Sequence, residues 1–312
     1  MSELFTQAIL IAMFAATVRI AAPLLLVSIG ELVVQRAGIW FLGVEGSMLM
    51  AAFAAYFISV ASDSLSIGLF AGIGMGITVH LSMAVATVTL KINQFITGLG
   101  INLLASGLTL LLYRESLKRF NGEVPTVIPF ETVALPGISQ IPILGEIFFD
   151  QHIFTYLAFA MVGVVWAFLY RTRYGLEIRA LGENPKALDI KGLSVSGRQY
   201  AALAFGGTMA GLAGAVLVLA LTDRFVPNMT NGRGWLAIVI IIAGNWKPLP
   251  ILVAVLVFAF LEAFQLQAQG IGLDIPYQLL LALPYIGAIV AMIGLQLRSE
   301  QPAHLGVPYH RE

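Results

Sequence analysis

Apolar residues run through this chain in long stretches separated by short polar breaks. A helix needs about 20 mostly apolar residues to cross the hydrocarbon of a bilayer. Runs of that kind lie near residues 5–29, 44–61, 65–89, 95–113, 151–170, 199–221, 234–245, 249–266 and 276–296. The pattern predicts an all-α, polytopic transmembrane helical bundle of about nine spans, within a range of about 8–10. The run at 234–245 is too short to cross alone, and reads either as a half-span or as part of its neighbour.

Two glycine-broken stretches read as interrupted helices, residues 38–46 (GIWFLGVEG) and 231–235 (NGRGW). Interrupted apolar segments in both halves of a chain point to a transport pathway. Glycines at 206, 207, 211 and 214, and at 72, 74 and 76, read as packing surfaces, because small residues let helices approach closely in lipid.

Two polar segments separate the runs. Residues 114–150 contain Pro125, Pro129, Pro136 and Pro142, which forbid a continuous helix, so the segment reads as an external loop. Residues 171–198 are basic. Their middle, 180–192, has the signature of a short helix: Asn184 suits the N-cap, Pro185 the first helical position and Gly192 the end. It is either a solvated loop with one helical turn or a docking element for something cytosolic. With 171–198 inside, Arg36, Lys91, Arg171, Arg173, Arg179, Lys186, Lys191, Arg198, Lys247, Arg298 and Arg311 also fall inside, and Arg114, Lys118, Arg119, Arg224 and Arg233 outside. This inward bias of roughly two to one fits the positive-inside rule, and an odd span count then puts the N-terminus outside.

Composition agrees. Hydrophobic residues make up 59% and charged residues 11%, less than half the roughly 25% charge of soluble domains, and mean hydropathy is +0.89. Net charge is zero, which gives no electrostatic case for nucleic acid. Residues 1–7 carry Glu3 and no Lys or Arg, so the first run reads as a retained span, not a cleaved leader.

Charges inside spans are costly and are functional candidates by default. Here they are Arg19, Glu31, Glu45, Glu262 and Asp274. Glu31 and Glu45 flank one inner turn and read as interfacial, in a structural more than a ligand role. Arg19 either pairs with a nearby acid or sits in a cavity, and Glu262 reads as an outer-interface marker. His80 reads as a hydrogen-bonded packing residue. Asn102 lies deep enough to need a partner. Trp40, Phe41, Phe53, Phe95 and Trp235 offer stacking faces, with packing or interfacial anchoring as the plainer role. Glu45, Asn102, Phe95 and Trp235 are the pathway candidates.

No catalytic or metal site is expected. Cysteine is absent, and no Gly-x-x-x-x-Gly-Lys-Ser/Thr, His-Glu-x-x-His or Gly-x-Ser-x-Gly occurs. No clear carboxylate at the midplane suits a proton-coupled carrier, although backbone carbonyls alone can hold sodium, so a stand-alone secondary carrier of a neutral polar solute remains the competing class.

Five segments in order carry a resemblance: PLLLVSIGELVVQRAGIWFLGVEG at 23–46, NQFITGLGINLLASGL at 93–108, LGENPKALDIKGL at 181–193, GRGWLAIVIIIAGNWKP at 232–248 and LPYIGAIVAM at 283–292. Together they resemble the inner-membrane permease subunits of ABC importers of the ribose and branched-chain amino-acid type, nearest the simple-sugar and nucleoside permeases. Trp40-Phe41 departs from the Asn-containing stretch of the family before Gly43. The resemblance implies one transmembrane permease domain over 1–312, in a bacterial inner membrane. It implies a nucleoside or simple sugar delivered by an extracytoplasmic binding protein, and a cytosolic ATPase that binds the ATP, this chain carrying no cofactor. The length resembles the shorter of two paired permeases, which implies a heterodimer with a second permease, a homodimer being the alternative. Gly182, Glu183, Asn184, Pro185, Lys186 and Ala187 would then form the ATPase-coupling helix.

Overall fold

A computed structural model describes residues 7–120, 122–270, 277–295 and 300–310. The helices are α1 (Gln7–Arg36), α2 (Val44–Ser62), α3 (Leu65–Ala84), α4 (Gln94–Arg119), α5 (Leu144–Phe148), α6 (Ile153–Arg171), α7 (Arg173–Glu183), α8 (Pro185–Ile190), α9 (Val195–Leu219), α10 (Arg233–Ala243), α11 (Pro248–Gly270) and α12 (Tyr277–Leu295). Seven of them are long and apolar enough to cross a membrane. A π-helical turn, Val85–Thr89, prolongs α3. Two three-residue strands, β1 (Thr132–Ala134) and β2 (Asp150–His152), pair antiparallel with Val133 opposite Gln151.

The core is built on α1 and α9. Residues 21–35 of α1 are buried without a break, and α9 is buried over nearly all of its length. Such all-round burial needs apolar side chains on every face, which is why neither helix is amphipathic. Close approach between α3 and α9 depends on glycine. A Cβ at Gly207 would lie 2.7 Å from the Gly76 carbonyl oxygen, and one at Gly76 2.3 Å from that of Gly207. Gly74 departs from the packing expectation: nothing lies within 4 Å of its virtual Cβ, because it points away from α9.

Arg36, assigned inward, meets the α10–α11 turn and the 171–198 loop at one end. Arg36 donates to the Trp246 carbonyl (Nη2, 2.8 Å; Nε, 3.1 Å) and lies 3.9 Å from Glu183. The opposite end carries the proline-rich loop, where Tyr56 donates to the Pro125 carbonyl and the Val127 amide donates to Asp223 O (2.8 Å).

Several boundaries differ from the sequence expectation. α1 continues through Gly30 and Glu31 to Arg36, since its neighbours bury that last stretch. Glu31 is therefore 1% exposed, inside a helix and not at an interface, with Gln35 Nε2 donating to it at 3.3 Å. α4 runs on to Arg119, so the external loop starts later than residue 114; no proline falls between residue 114 and Pro125, and Lys118 and Arg119 suit a helix C-terminus. The loop 171–198 holds two helices, not one. α7 buries Ile178 and Leu181 on one face and is pinned to α9 by Glu177, which accepts from Arg198 at 2.6 Å and 2.8 Å. Asp274, Arg298 and Arg311 lie outside the described residues.

Candidate functional site

Both glycine-broken stretches are interruptions in space, and their ends meet. After α1 closes at Arg36, residues 37–43 run non-helical back into the bundle, and α2 starts at Val44. α10 has 11 residues, about 16 Å at 1.5 Å per residue, or half of a hydrocarbon core about 30 Å thick. Its C-terminal end reaches the inner turn at Trp246, so its N-terminal end opens at mid-depth. The run at 234–245 is thus a short helix of its own and not part of α11.

Glu45 joins the two breaks. Its Oε1 accepts from Thr230 Oγ1 (2.6 Å) and the Gly232 amide (2.8 Å), and its Oε2 accepts from the Gly234 amide (2.7 Å). The first amides of a helix have no intrahelical partner, and the N-terminus carries partial positive charge. A carboxylate from another helix answers both needs at α10. Gly232 sits at φ +79, a conformation open to glycine, and a Cβ at Gly234 would lie 2.5 Å from the Glu45 amide nitrogen.

α4 holds the other side of the break. Gln94 Oε1 accepts from the Trp40 amide (2.7 Å). Asn102 accepts from the Gly46 amide (2.7 Å) and donates to Leu42 O (2.7 Å). Gly98 lies between them, where a Cβ would be 2.9 Å from the Leu42 amide nitrogen. Spaced four apart, these three residues form one helical stripe against residues 40–46. The partner that Asn102 needed is thus the backbone of the break itself.

The remaining candidates divide. Phe95 is 58% exposed and Trp235 39% exposed, each next to a clasping position, Gln94 and Gly234. Phe41 is fully buried, edge-on to His80 at 4.5 Å, and Phe53 packs on Phe57 and Phe225, so neither offers a free face. His80 Nδ1 lies 3.1 Å from Ser47 Oγ and from Gly76 O, as a packing residue should. Arg233, expected outside, is paired with Glu262, and the two line one cleft with Asp223 and Arg224. Arg19 lines a cleft with that pair, and no acid faces it within salt-bridge range among the described residues.

At the inner end, the six coupling candidates also divide. Asn184 caps α8 through the Ala187 amide (3.3 Å), and Pro185 is its first residue. Gly182 and Pro185 are buried, whereas Glu183, Asn184, Lys186 and Ala187 are exposed, along with Ile190 at 79%. Gly182 sits against the end of α1, a Cβ there falling 2.4 Å from Arg36 O. The sequence reading missed the Trp246 clamp, in which Nε1 donates to Gln35 Oε1 at 2.7 Å, because those positions are 211 residues apart.

Outside the spans, burial lowers the His152 imidazole from its ordinary value, helped by nearby Arg19, and burial alone lowers His304. Both are neutral at physiological pH.

The family described as "Branched-chain amino acid transport system / permease component" matches residues 13–292. The chain belongs to this permease family. The permease is 39% identical to the putative glucose ABC transporter permease protein TsgC13 of Haloferax volcanii, over 83% of this chain and 78% of that one. It is 32% identical to the guanosine ABC transporter permease protein NupQ of Bacillus subtilis, over 94% and 95% of the two chains. It is 28% identical to the nucleoside ABC transporter permease protein NupC of Lactococcus lactis subsp. cremoris, over 93% of each. No solved structure matches it. The permease is a multi-pass protein of the cell membrane.

Proposed function

We propose that this chain is the transmembrane subunit of an ATP-binding-cassette importer for a nucleoside or simple sugar. The observation that carries this reading is near full-length similarity to permeases named for guanosine, nucleosides and glucose. An extracytoplasmic binding protein delivers the solute, a second permease subunit completes the pathway, and a cytosolic ATPase binds the ATP. The pathway runs past the junction of the broken segments, where Trp235 and Phe95 offer aromatic faces and Glu45 and Asn102 hold the backbone in place. Glu45 is hydrogen-bonded to the start of α10 and Arg233 is paired with Glu262, so these charges are already satisfied, which suits an uncharged solute.

The ATPase docks on α8. Its exposed face carries Lys186, Ala187 and Ile190, and its buried face, Pro185 and Leu188, seats it on the permease. Ala187→Glu adds a charge to the docking face and leaves the seat intact. Uptake falls by about a hundredfold, roughly 2.7 kcal/mol of coupling, while the unfolding midpoint in detergent stays within about 1 °C, as expected for an exposed site. Retained uptake with the ATPase still co-purifying would remove α8 from the coupling role.

The importer reading is tested in proteoliposomes holding both permeases, the ATPase and the binding protein. Labelled guanosine or glucose enters only with ATP inside the ATPase compartment and binding protein on the other side. Uptake that ignores ATP and collapses with the proton gradient would make the chain a secondary carrier.

A further inference from the structure

Residues 300–310 lie across the inner end and bond to four separate elements. The Glu300 amide donates to Asn245 Oδ1 (2.9 Å) in the α10–α11 turn. The Ala303 amide donates to Glu183 Oε2 (3.2 Å) and the His304 amide to Gly182 O (2.8 Å), both at the α7–α8 elbow. The Gly306 amide donates to Gly38 O (3.0 Å) in the α1–α2 break. The Tyr309 hydroxyl donates to Asp189 Oδ2 (2.9 Å) on α8. Pro302 and Leu305 are buried and seat the segment.

The four anchor points have one thing in common. The α1–α2 break and the α10–α11 turn are the inner ends of the two segments that meet at Glu45. The elbow and α8 are the elements on which the proposed ATPase would act. α8 itself has only six residues; the elbow before it already sits against the α1–α2 break at Gly182, and the segment adds a second contact to that break and one to the α10–α11 turn. Gly306 and Gly38 face each other with φ of +80 and +81, so both sides of that contact adopt backbone that other residues disfavour. The turn at Asn245 and Trp246 is likewise left-handed, φ 50 at each. Conformations of this sort persist where the surroundings over-determine them, and here the segment supplies part of the surroundings.

We propose that residues 300–310 form a strap that carries displacement of α8 to the inner ends of both broken segments, with Tyr309 as its positioning residue. The inference rests on the importer reading above. The strap moves with α8 as one body; it is not a latch that must open. A push or pull on α8 reaches Gly38 through the Tyr309–Asp189 bond and the backbone between them, and reaches Asn245 through the other end. Both sides of the Glu45 junction therefore move in one step.

The test uses the full importer in proteoliposomes, reading uptake and ATP hydrolysis together. Tyr309→Phe and Asp189→Ala each remove the same charge-assisted bond, and each lowers solute imported per ATP hydrolysed by about tenfold. ATPase co-purification of Tyr309→Phe stays at the wild-type value, which loss of docking would not predict, and its unfolding midpoint falls by only about 3–5 °C, too little to account for the loss of coupling. The double variant loses less than the two single losses combined, because both changes break the Tyr309–Asp189 bond. The chain has no native cysteine, so Asp189→Cys with Tyr309→Cys can be joined by a short bismaleimide. The joined protein regains coupling and the unjoined one does not. Wild-type coupling in Tyr309→Phe would overturn the strap alone, as would a cross-link that blocks uptake, which would mark a latch. A wild-type importer with no ATP-driven uptake would instead take down the importer reading, and the strap with it.

Discussion

Glu45→Ala abolishes uptake and lowers the unfolding midpoint by roughly 10 °C, equivalent to about 3–4 kcal/mol in a protein of this size. The effect follows from what the carboxylate satisfies. It accepts from Thr230 Oγ1, the Gly232 amide and the Gly234 amide, all part-buried. Hydrogen bonds to a charged group are worth roughly 1.5–3 kcal/mol each, and a stranded buried donor bears its full desolvation cost. In lipid there is no bulk water to take over. The three losses are not additive, since Thr230 and the two amides belong to one turn. Glu45→Gln separates charge from shape. One of its oxygens is replaced by an amide donor, which must face either Gly234 or the Thr230–Gly232 pair. It loses about half as much stability and keeps measurable uptake. Thermal unfolding and uptake measured side by side check both values; wild-type behaviour of Glu45→Ala would mean that the junction of the broken helices is not what holds α10.

Much of this arrangement was legible in the sequence, and the unread part has a common cause. Residues 38–46 and 231–235 were readable as breaks because glycine density and short apolar runs are local signals. So was the cap of α8, where Asn184 and Pro185 declare themselves within three positions. Asn102 was readable as a residue in need of a partner, because depth in an apolar run is also local. Its partner was not, since the backbone of Leu42 and Gly46 comes from a different helix. Glu45 is the sharpest instance. Its place beside an inner turn made it look interfacial, whereas its three donors lie 185–189 residues away. Glu31 misled for a related reason: a carboxylate in an apolar helix looks like the end of a span until Gln35 is seen beside it, itself held by Trp246. α7 was missed because 11 residues with few buried positions give too short a period to separate helix from basic loop.

Glycine spacing made the same kind of promise, and only the three-dimensional partner decides which glycines keep it. Gly207→Leu prevents assembly of the bundle. A Cβ there lies 2.7 Å from both the Gly76 carbonyl oxygen and Ile77 Cα. Those atoms are backbone, so they cannot give way as a flexible side chain would. Moving α3 outward also breaks the neighbouring contacts at Gly72 and Gly211, where virtual Cβ atoms lie 2.9 Å from Ala215 Cβ and 2.7 Å from the Gly72 carbonyl oxygen. Overpacking usually costs about 1–3 kcal/mol; separating two helices along a glycine seam exceeds that and reaches about 4 kcal/mol or more, the range reserved for named core failures. Gly74→Leu is the control on the same helix, two residues from Gly76, with no atom within 4 Å of its Cβ. It adds an apolar side chain to an open face and leaves yield, monodispersity in detergent and unfolding midpoint unchanged, or slightly raised by the gain in helix propensity. Equal behaviour of the two variants would show that α3 and α9 do not meet along this seam, and the path from Glu45 to the core would need a different scaffold.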